Sequence, residues 1–391
     1  EAMKKNDMPE IELAEETIFL LRKCTALLEE WEKDGDDMRF WDASASLKEE
    51  YRRLTRLGFN GREEKPAAGE INAFLSAGLK KITAALDKAF DRESGTYFSY
   101  FINKPEEYEV HGVKNIKPLR FSARPLPLFL EGEMHALRTC EDAAKAKQLY
   151  SAVKKSALFD KKLKMYKVTE SLARMPEEIG RCRVFTPGWL ENESIWLHME
   201  YKYLLEILRS GLHKEFYEEF KNLLIPYQRP ERYGRNILEN SSFLVSSAFP
   251  DEKLHGNGYV ARLSGSTAEF IHIWTLMNIG AKPFFLNENN ELNLKFEPVL
   301  ASWLFKPVKR GARYHLPELK ADAIYGFNFL GGTWVVYHNP GKKDTFGAKG
   351  VKPASISLLD KQGASRRIDS PVIPSPLAED IRQGKMERID I

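Results

Sequence analysis

The sequence predicts a mainly α protein: a helical toroid over residues 1–282, followed by a C-terminal β-sandwich of jelly-roll type over 283–391. Apolar residues recur at helical spacing through most of the first 280 positions, and that spacing marks one buried face per helix. After Gly280 the period changes to two, as in Glu291-Leu-Asn-Leu-Lys-Phe-Glu and Thr333-Trp-Val-Val-Tyr-His, the signature of half-buried strands. The long helical stretches come in pairs joined by irregular excursions, which points to a toroid of hairpins.

From Pro9 to about Glu32, Ile18, Leu21, Leu28 and, beside them, Leu20, Cys24, Leu27 and Trp31 give a wide apolar face. Gly35 is a natural stop. A short charged helix is predicted at about 44 to 57, and a third at about 69 to 90 with Ile71, Phe74, Leu75, Leu79, Ile82 and Leu86 on one stripe. Residues 94–127 break into aromatics and prolines and read as a long, partly extended excursion. Helices resume at about 128–138 and 141–156. Further helices are predicted at Glu191–Ser210, 213–223, 231–247 and 266–279. This is fewer than the twelve of a complete toroid, so the sequence is expected to lack an N-terminal portion.

At 391 residues, with 43% hydrophobic and 29% charged residues, the chain has the composition of a soluble globular protein of two or three domains. A net charge of +3 without a basic tract argues against nucleic acid as a partner. Cys24, Cys140 and Cys182 are odd in number and lack a Cys-x-x-Cys pair, so neither a disulfide framework nor a zinc site is expected and a reducing, cytoplasmic setting fits. No apolar run reaches the roughly 20 residues that span a bilayer, so no membrane association is expected. No nucleotide-binding glycine loop or serine elbow is found, and neither a metal nor a cofactor is expected.

Between Phe185 and Ala301 the sequence concentrates carboxylates, carboxamides, hydroxyls and indoles: Phe-Thr-Pro-Gly-Trp-Leu-Glu-Asn-Glu-Ser-Ile-Trp-Leu-His, then Ile-Leu-Glu-Asn-Ser-Ser-Phe, then His-Gly-Asn-Gly-Tyr-Val-Ala-Arg-Leu-Ser-Gly-Ser-Thr-Ala-Glu-Phe. Such groups hold sugars, polar atoms meeting the hydroxyls and flat rings the C–H faces. Ser264-Gly265-Ser266 stands at a predicted helix start, where free N–H groups and the macrodipole attract anions; the same pattern also makes Ser266 an N-cap with Glu269 closing a capping box. Arg262 can add a fixed charge. His198, on the preceding predicted helix, is either a phosphate contact or a hydrogen-bonded structural residue. Glu191 and Glu239 are candidate second carboxylates, and Glu191 with Glu193 also reads as an acidic first helical turn. Trp189, Trp196, Tyr233 and Trp274 are candidate stacking rings, and Glu239 with Asn240 is expected to line a sugar pocket. For the general acid, Asp42 beside Trp41 and the neighbouring Asp37 are the candidates, with an N-cap as the alternative role of Asp42.

The order and spacing of Glu191-Asn192, His198, Glu239 and Leu263-Ser264-Gly265-Ser266 resemble the catalytic-domain end of the cellobiose and chitobiose phosphorylase family, over roughly residues 185–305. The sequence departs from that family at Ser264, where Thr is usual, and in lacking an intact Asp-Trp-Asn-Asp motif; it resembles a divergent member or a C-terminal fragment. The resemblance implies an (α/α)6 barrel and an inverting glycoside phosphorylase acting on a disaccharide or short oligosaccharide with inorganic phosphate as co-substrate. It implies phosphate contacts at His198, Ser264 and Gly265, and a missing N-terminal β-sandwich. A homodimer is among the expected assemblies. Two alternatives stay open: an inverting hydrolase with Glu191 or Glu239 as base, and a non-catalytic sugar-binding fragment.

Overall fold

The computed structural model describes residues 11–113, 115–261, 264–307 and 323–391. The chain divides into two compact units, Glu1–Leu128 and Phe129–Ile391. The strand-rich segment from 283 onward belongs to the second unit.

In the first unit, α1 (Glu15–Asp34), α2 (Asp37–Leu54) and α3 (Ala68–Ala89) pack with α1 against both partners. Gly35 takes a left-handed conformation that ends α1, the stop its lack of a Cβ permits. Asp36 caps α2 by accepting the Arg39 N–H at 3.0 Å. The excursion at 94–127 folds into a two-stranded antiparallel hairpin, Phe101–His111 with Asn115–Pro125.

The second unit contains α4 (Leu130–Thr139), α5 (Ala143–Lys155), α6 (Arg181–Val184), α7 (Leu197–Arg209), α8 (His213–Leu223), α9 (Pro230–Tyr233), α10 (Ser264–Ile279) and α11 (Leu377–Arg382). Helix α7 is buried nearly throughout and packs on α4, α8 and α10. A three-stranded antiparallel sheet has Ser241–Leu244 between Ile195–Trp196 and Gly258–Ala261. Toward the C-terminus a second three-stranded sheet joins Phe284–Leu286, Leu292–Lys295 and Val372–Ile373. The five-stranded sheet runs in the order Ile324–Phe329, Thr333–His338, Met386–Asp390, Ile356–Asp360, Ser365–Ile368. The last C-terminal strand lies parallel to Thr333–His338 and antiparallel to Ile356–Asp360. Phe284 and Phe296 pack on Phe329 at centroid distances of 6.2 and 5.5 Å.

This architecture corrects the predicted mainly α toroid followed by a sandwich. The molecule is mixed, 41% helix and 23% strand, and its strands are spread through both units rather than confined to the C-terminal third. Two local departures produce the difference. Residues 185–196 form tight turns and a short strand instead of the first turns of a helix, with Leu190 and Glu193 both in the left-handed region. Residues 231–247 place a four-residue helix and the Ser241–Leu244 strand where one helix is predicted.

Candidate anion and polar site at paired helix starts

The small sheet sets the geometry. Because the central strand is antiparallel to both neighbours, the two outer strands run the same way, and each passes into a helix at the same end: Ile195–Trp196 into α7 and Gly258–Ala261 toward α10. The first turns of α7 and α10 therefore lie side by side, next to the start of the central strand at Asn240–Ser241. Two helix starts together present several N–H groups without intrahelical acceptors and two positive dipole ends.

His198 is the second residue of α7, not two turns along a longer helix. Its imidazole lies flush against the backbone of Gly265, the second residue of α10: a Cβ on Gly265 would stand 2.5 Å from Nδ1, 2.7 Å from Cε1 and 2.8 Å from Cγ. Real Cβ atoms do not come that close, so any side chain at 265 would displace the ring from this contact. The other ring nitrogen, Nε2, is 3.6 Å from Glu269 Oε1. Burial, aided by Lys202, lowers the His198 pKa, and Glu269 opposes the shift only in part. The ring is thus neutral at neutral pH, and Nε2–H facing the carboxylate leaves Nδ1 toward the α10 start.

Asn240 ties the two helices together at this end. Its Oδ1 accepts from the Tyr201 hydroxyl of α7 at 3.1 Å, and its Nδ2 donates to Thr267 Oγ1 of α10 at 3.3 Å. The Tyr201 hydroxyl also accepts the Ile225 N–H at 3.0 Å. Ser266 is fully buried, and its hydroxyl has no hydrogen-bond partner among the described residues. Since α10 begins at Ser264, Ser266 lies inside the helix and is not its N-cap, and Glu269 turns to His198 instead of closing a capping box. Arg262 lies outside the described residues.

The remaining predicted residues separate into distinct environments. Glu239 is half exposed, 3.4 Å from Arg235, and its carbonyl accepts from Tyr233 Oη at 2.7 Å. Tyr233 is fully buried and also bonds Ser241 Oγ at 2.5 Å, which makes it a strut rather than a stacking platform. Trp189 packs edge-on to Phe243 and Tyr259, and Trp196 stacks on Phe243 while its Nε1 donates to the Leu190 carbonyl. Both indoles thus build the aromatic layer on the small sheet. Trp274, 40% exposed, lines an open apolar groove with Phe270 and Tyr227. Glu191 sits in the turn before α7, not at a helix start; Oε1 accepts from Arg181 at 2.6 Å and Oε2 is buried without a partner among the described residues.

Asp37 and Asp42 are in the first unit. Burial pushes the Asp37 carboxyl up, but hydrogen bonds from Lys81, Lys88 and Trp31 outweigh it and hold the group far below the usual carboxylate range. An aspartate so held is the opposite of a proton donor, which corrects its assignment as general acid. Asp42 is exposed within α2, so it is neither the N-cap of a helix at 44 nor desolvated by Trp41, which is itself 51% exposed.

Sequence reasoning missed a pair of buried acids on α7 and α8. Glu219 accepts from Tyr150 and Tyr166 at 2.6 and 3.1 Å and from Lys154 at 2.5 Å. Glu200, fully enclosed, accepts the Tyr166 N–H through one oxygen, and burial, reinforced by Glu219, raises its pKa well above the ordinary value. Glu200 and Glu219 sit at helical spacing among apolar residues, and only the tertiary arrangement shows that both accept from Tyr166. Among the described residues no group of three or more His, Cys, Asp or Glu side chains is placed to hold a metal ion, and no helix is long and apolar enough to cross a membrane.

No family model matches the sequence, and no curated protein matches it. Among solved structures, the chain is similar to an uncharacterized conserved protein from Thermus thermophilus, at 14% identity and a TM-score of 0.32. The match covers 61% of this chain and 46% of that one. A likeness of that size defines neither a shared fold nor an activity.

Proposed function

We propose that the paired starts of α7 and α10 form the phosphate site of a carbohydrate-active enzyme, an inverting glycoside phosphorylase acting on a disaccharide or short oligosaccharide. The observation that carries this reading is the imidazole of His198 lying directly on the Gly265 backbone. It brings an imidazole nitrogen, which donates once the ring takes up a proton, to the side-by-side starts of two helices, where N–H groups and dipole ends favour an oxyanion. In phosphorolysis the anion itself is the nucleophile, so the protein needs to hold and aim it, not to activate water. Inorganic phosphate would attack the anomeric carbon from the face opposite the glycosidic oxygen, giving a sugar 1-phosphate of inverted configuration.

Glu239 and Asn240, at the head of the central strand, would meet sugar hydroxyls, with the backbone N–H of Ser264 adding to the anion cradle. The reaction also needs a carboxylic acid over the leaving oxygen. Of the carboxylates considered for catalysis, Glu191 and Glu239 belong to the same unit as the cradle, and Asp37 and Asp42 do not. A cytoplasmic setting is part of the proposal, in keeping with three unpaired cysteines.

The test is a screen of disaccharides with and without inorganic phosphate, reading sugar 1-phosphate. Phosphate-dependent formation of sugar 1-phosphate, abolished in His198→Ala, is the expected result. Release of free sugar without phosphate would replace the reading with hydrolysis. Sugar binding without turnover of any disaccharide would make the chain a non-catalytic binding module.

A further inference from the structure

Helix α3 carries two faces of different character. On one face Glu70 bonds Arg22 of α1, Lys80 bonds Glu32 of α1, and Lys81 and Lys88 bond Asp37 of α2, while Ala77 is buried. Four of the five charged residues of the helix, all but Asp87, are thus drawn toward its two neighbours. On another face, Leu75, Leu79, Ile82 and Leu86 remain 51%, 65%, 59% and 46% exposed. Their spacing of four, three and four residues is the a/d pattern of a two-helix seam, and the 22-residue helix is about 33 Å long, some three heptads.

Two further features identify the occupant. The residues flanking the seam at the e and g positions are Ile71, Ser76, Gly78, Thr83 and Ala85. None is charged, so an identical helix meets no like-charge repulsion, and the small side chains permit close approach. Asn72 falls at an a position one heptad before Leu79. In a parallel pair of identical helices Asn72 meets its own copy and both amides are satisfied; in an antiparallel pair, or against an apolar partner helix, it would be buried without one.

We propose that α3 pairs in parallel with α3 of a second copy of this chain, through the seam Leu75, Leu79, Ile82 and Leu86 with Asn72 fixing the register. The test uses the full chain in sedimentation velocity across a concentration series. Reversible dimerisation is expected, with association weakened by more than tenfold in Leu79→Glu/Ile82→Glu. In a background carrying Cys24→Ser, Cys140→Ser and Cys182→Ser, single Leu79→Cys and Leu86→Cys variants keep the seam's size and should each oxidise to a disulfide dimer linked through the same position. A chain monomeric throughout, association unchanged by the double glutamate variant, or cysteine variants that stay unlinked would each overturn the proposal. Activity does not enter the test, so its outcome is separate from that of the phosphate reading.

Discussion

Replacing Gly265 with alanine adds one methyl group at the point where α10 meets His198, and its consequences for stability and for anion binding can be separated. The new Cβ would lie 2.5 to 2.8 Å from three imidazole atoms, so the ring must rotate away, at about 0.5–1.5 kcal/mol if it leaves its rotamer. Against this, alanine is favoured over glycine in a helix by up to about 1 kcal/mol. The two effects nearly cancel, and the unfolding free energy should change by less than about 1 kcal/mol. An anion at this site loses the His198 contact and the close approach to the Gly265 N–H. One charge-assisted hydrogen bond contributes about 1.5–3 kcal/mol, equivalent to roughly a 10- to 150-fold rise in Kd. Calorimetric titration with inorganic phosphate gives the affinity, and urea unfolding gives the stability. Gly265→Ala combined with His198→Ala should be little worse than either alone, because both remove the same contact. Wild-type phosphate affinity in Gly265→Ala, or additive losses in the double variant, would refute the reasoning.

Because burial lowers the His198 pKa in the free protein, a bound anion should draw a proton onto the ring. Sulfate, which does not itself titrate in this range, should bind more tightly as pH falls below the ordinary imidazole value near 6.5 toward the lower value of the free protein, and His198→Gln should flatten the profile. Glu219→Ala leaves Lys154 and the hydroxyls of Tyr150 and Tyr166 without their shared acceptor; a cost of about 3–5 kcal/mol in urea unfolding is expected. Burial raises the Glu200 pKa well above its ordinary value, so Glu200→Gln, which keeps the size and an acceptor for the Tyr166 N–H, should cost less than Glu219→Ala in the same assay. Gly188→Ala meets the Phe249 backbone at 2.5 Å from a residue at φ 82°. A loss exceeding about 3 kcal/mol is expected, because a peptide unit cannot swing aside as a side chain can.

Helices with one clear apolar stripe are legible in the sequence. The predicted segments at 128–138, 141–156, 213–223 and 266–279 match α4, α5, α8 and α10 to within two residues. The stripe on α3 is legible too, but periodicity alone reads it as core, whereas Leu75, Leu79, Ile82 and Leu86 face outward and Ala77 and Lys81 face the neighbours. Ser241–Leu244 is buried at every position, and a strand buried on both sides offers no alternation to separate it from a helix. Leu190 and Glu193 hold left-handed conformations that neither side chain favours, so the turns before α7 leave no mark in composition. Residue order suggests that His198 and Gly265 meet, but not why they do. The physical cause lies in a sheet whose outer strands run in one direction and deliver two helices to one end.

The most direct measurement is a phosphate titration followed by NMR, reading the Gly265 amide and the His198 ring nitrogens in one sample. The account predicts that both move together with a single apparent Kd, and that the Gly265 amide in His198→Ala and the His198 ring in Gly265→Ala move only at roughly 10- to 150-fold higher phosphate. Phosphate that binds while leaving the Gly265 amide and the His198 ring unmoved would contradict it.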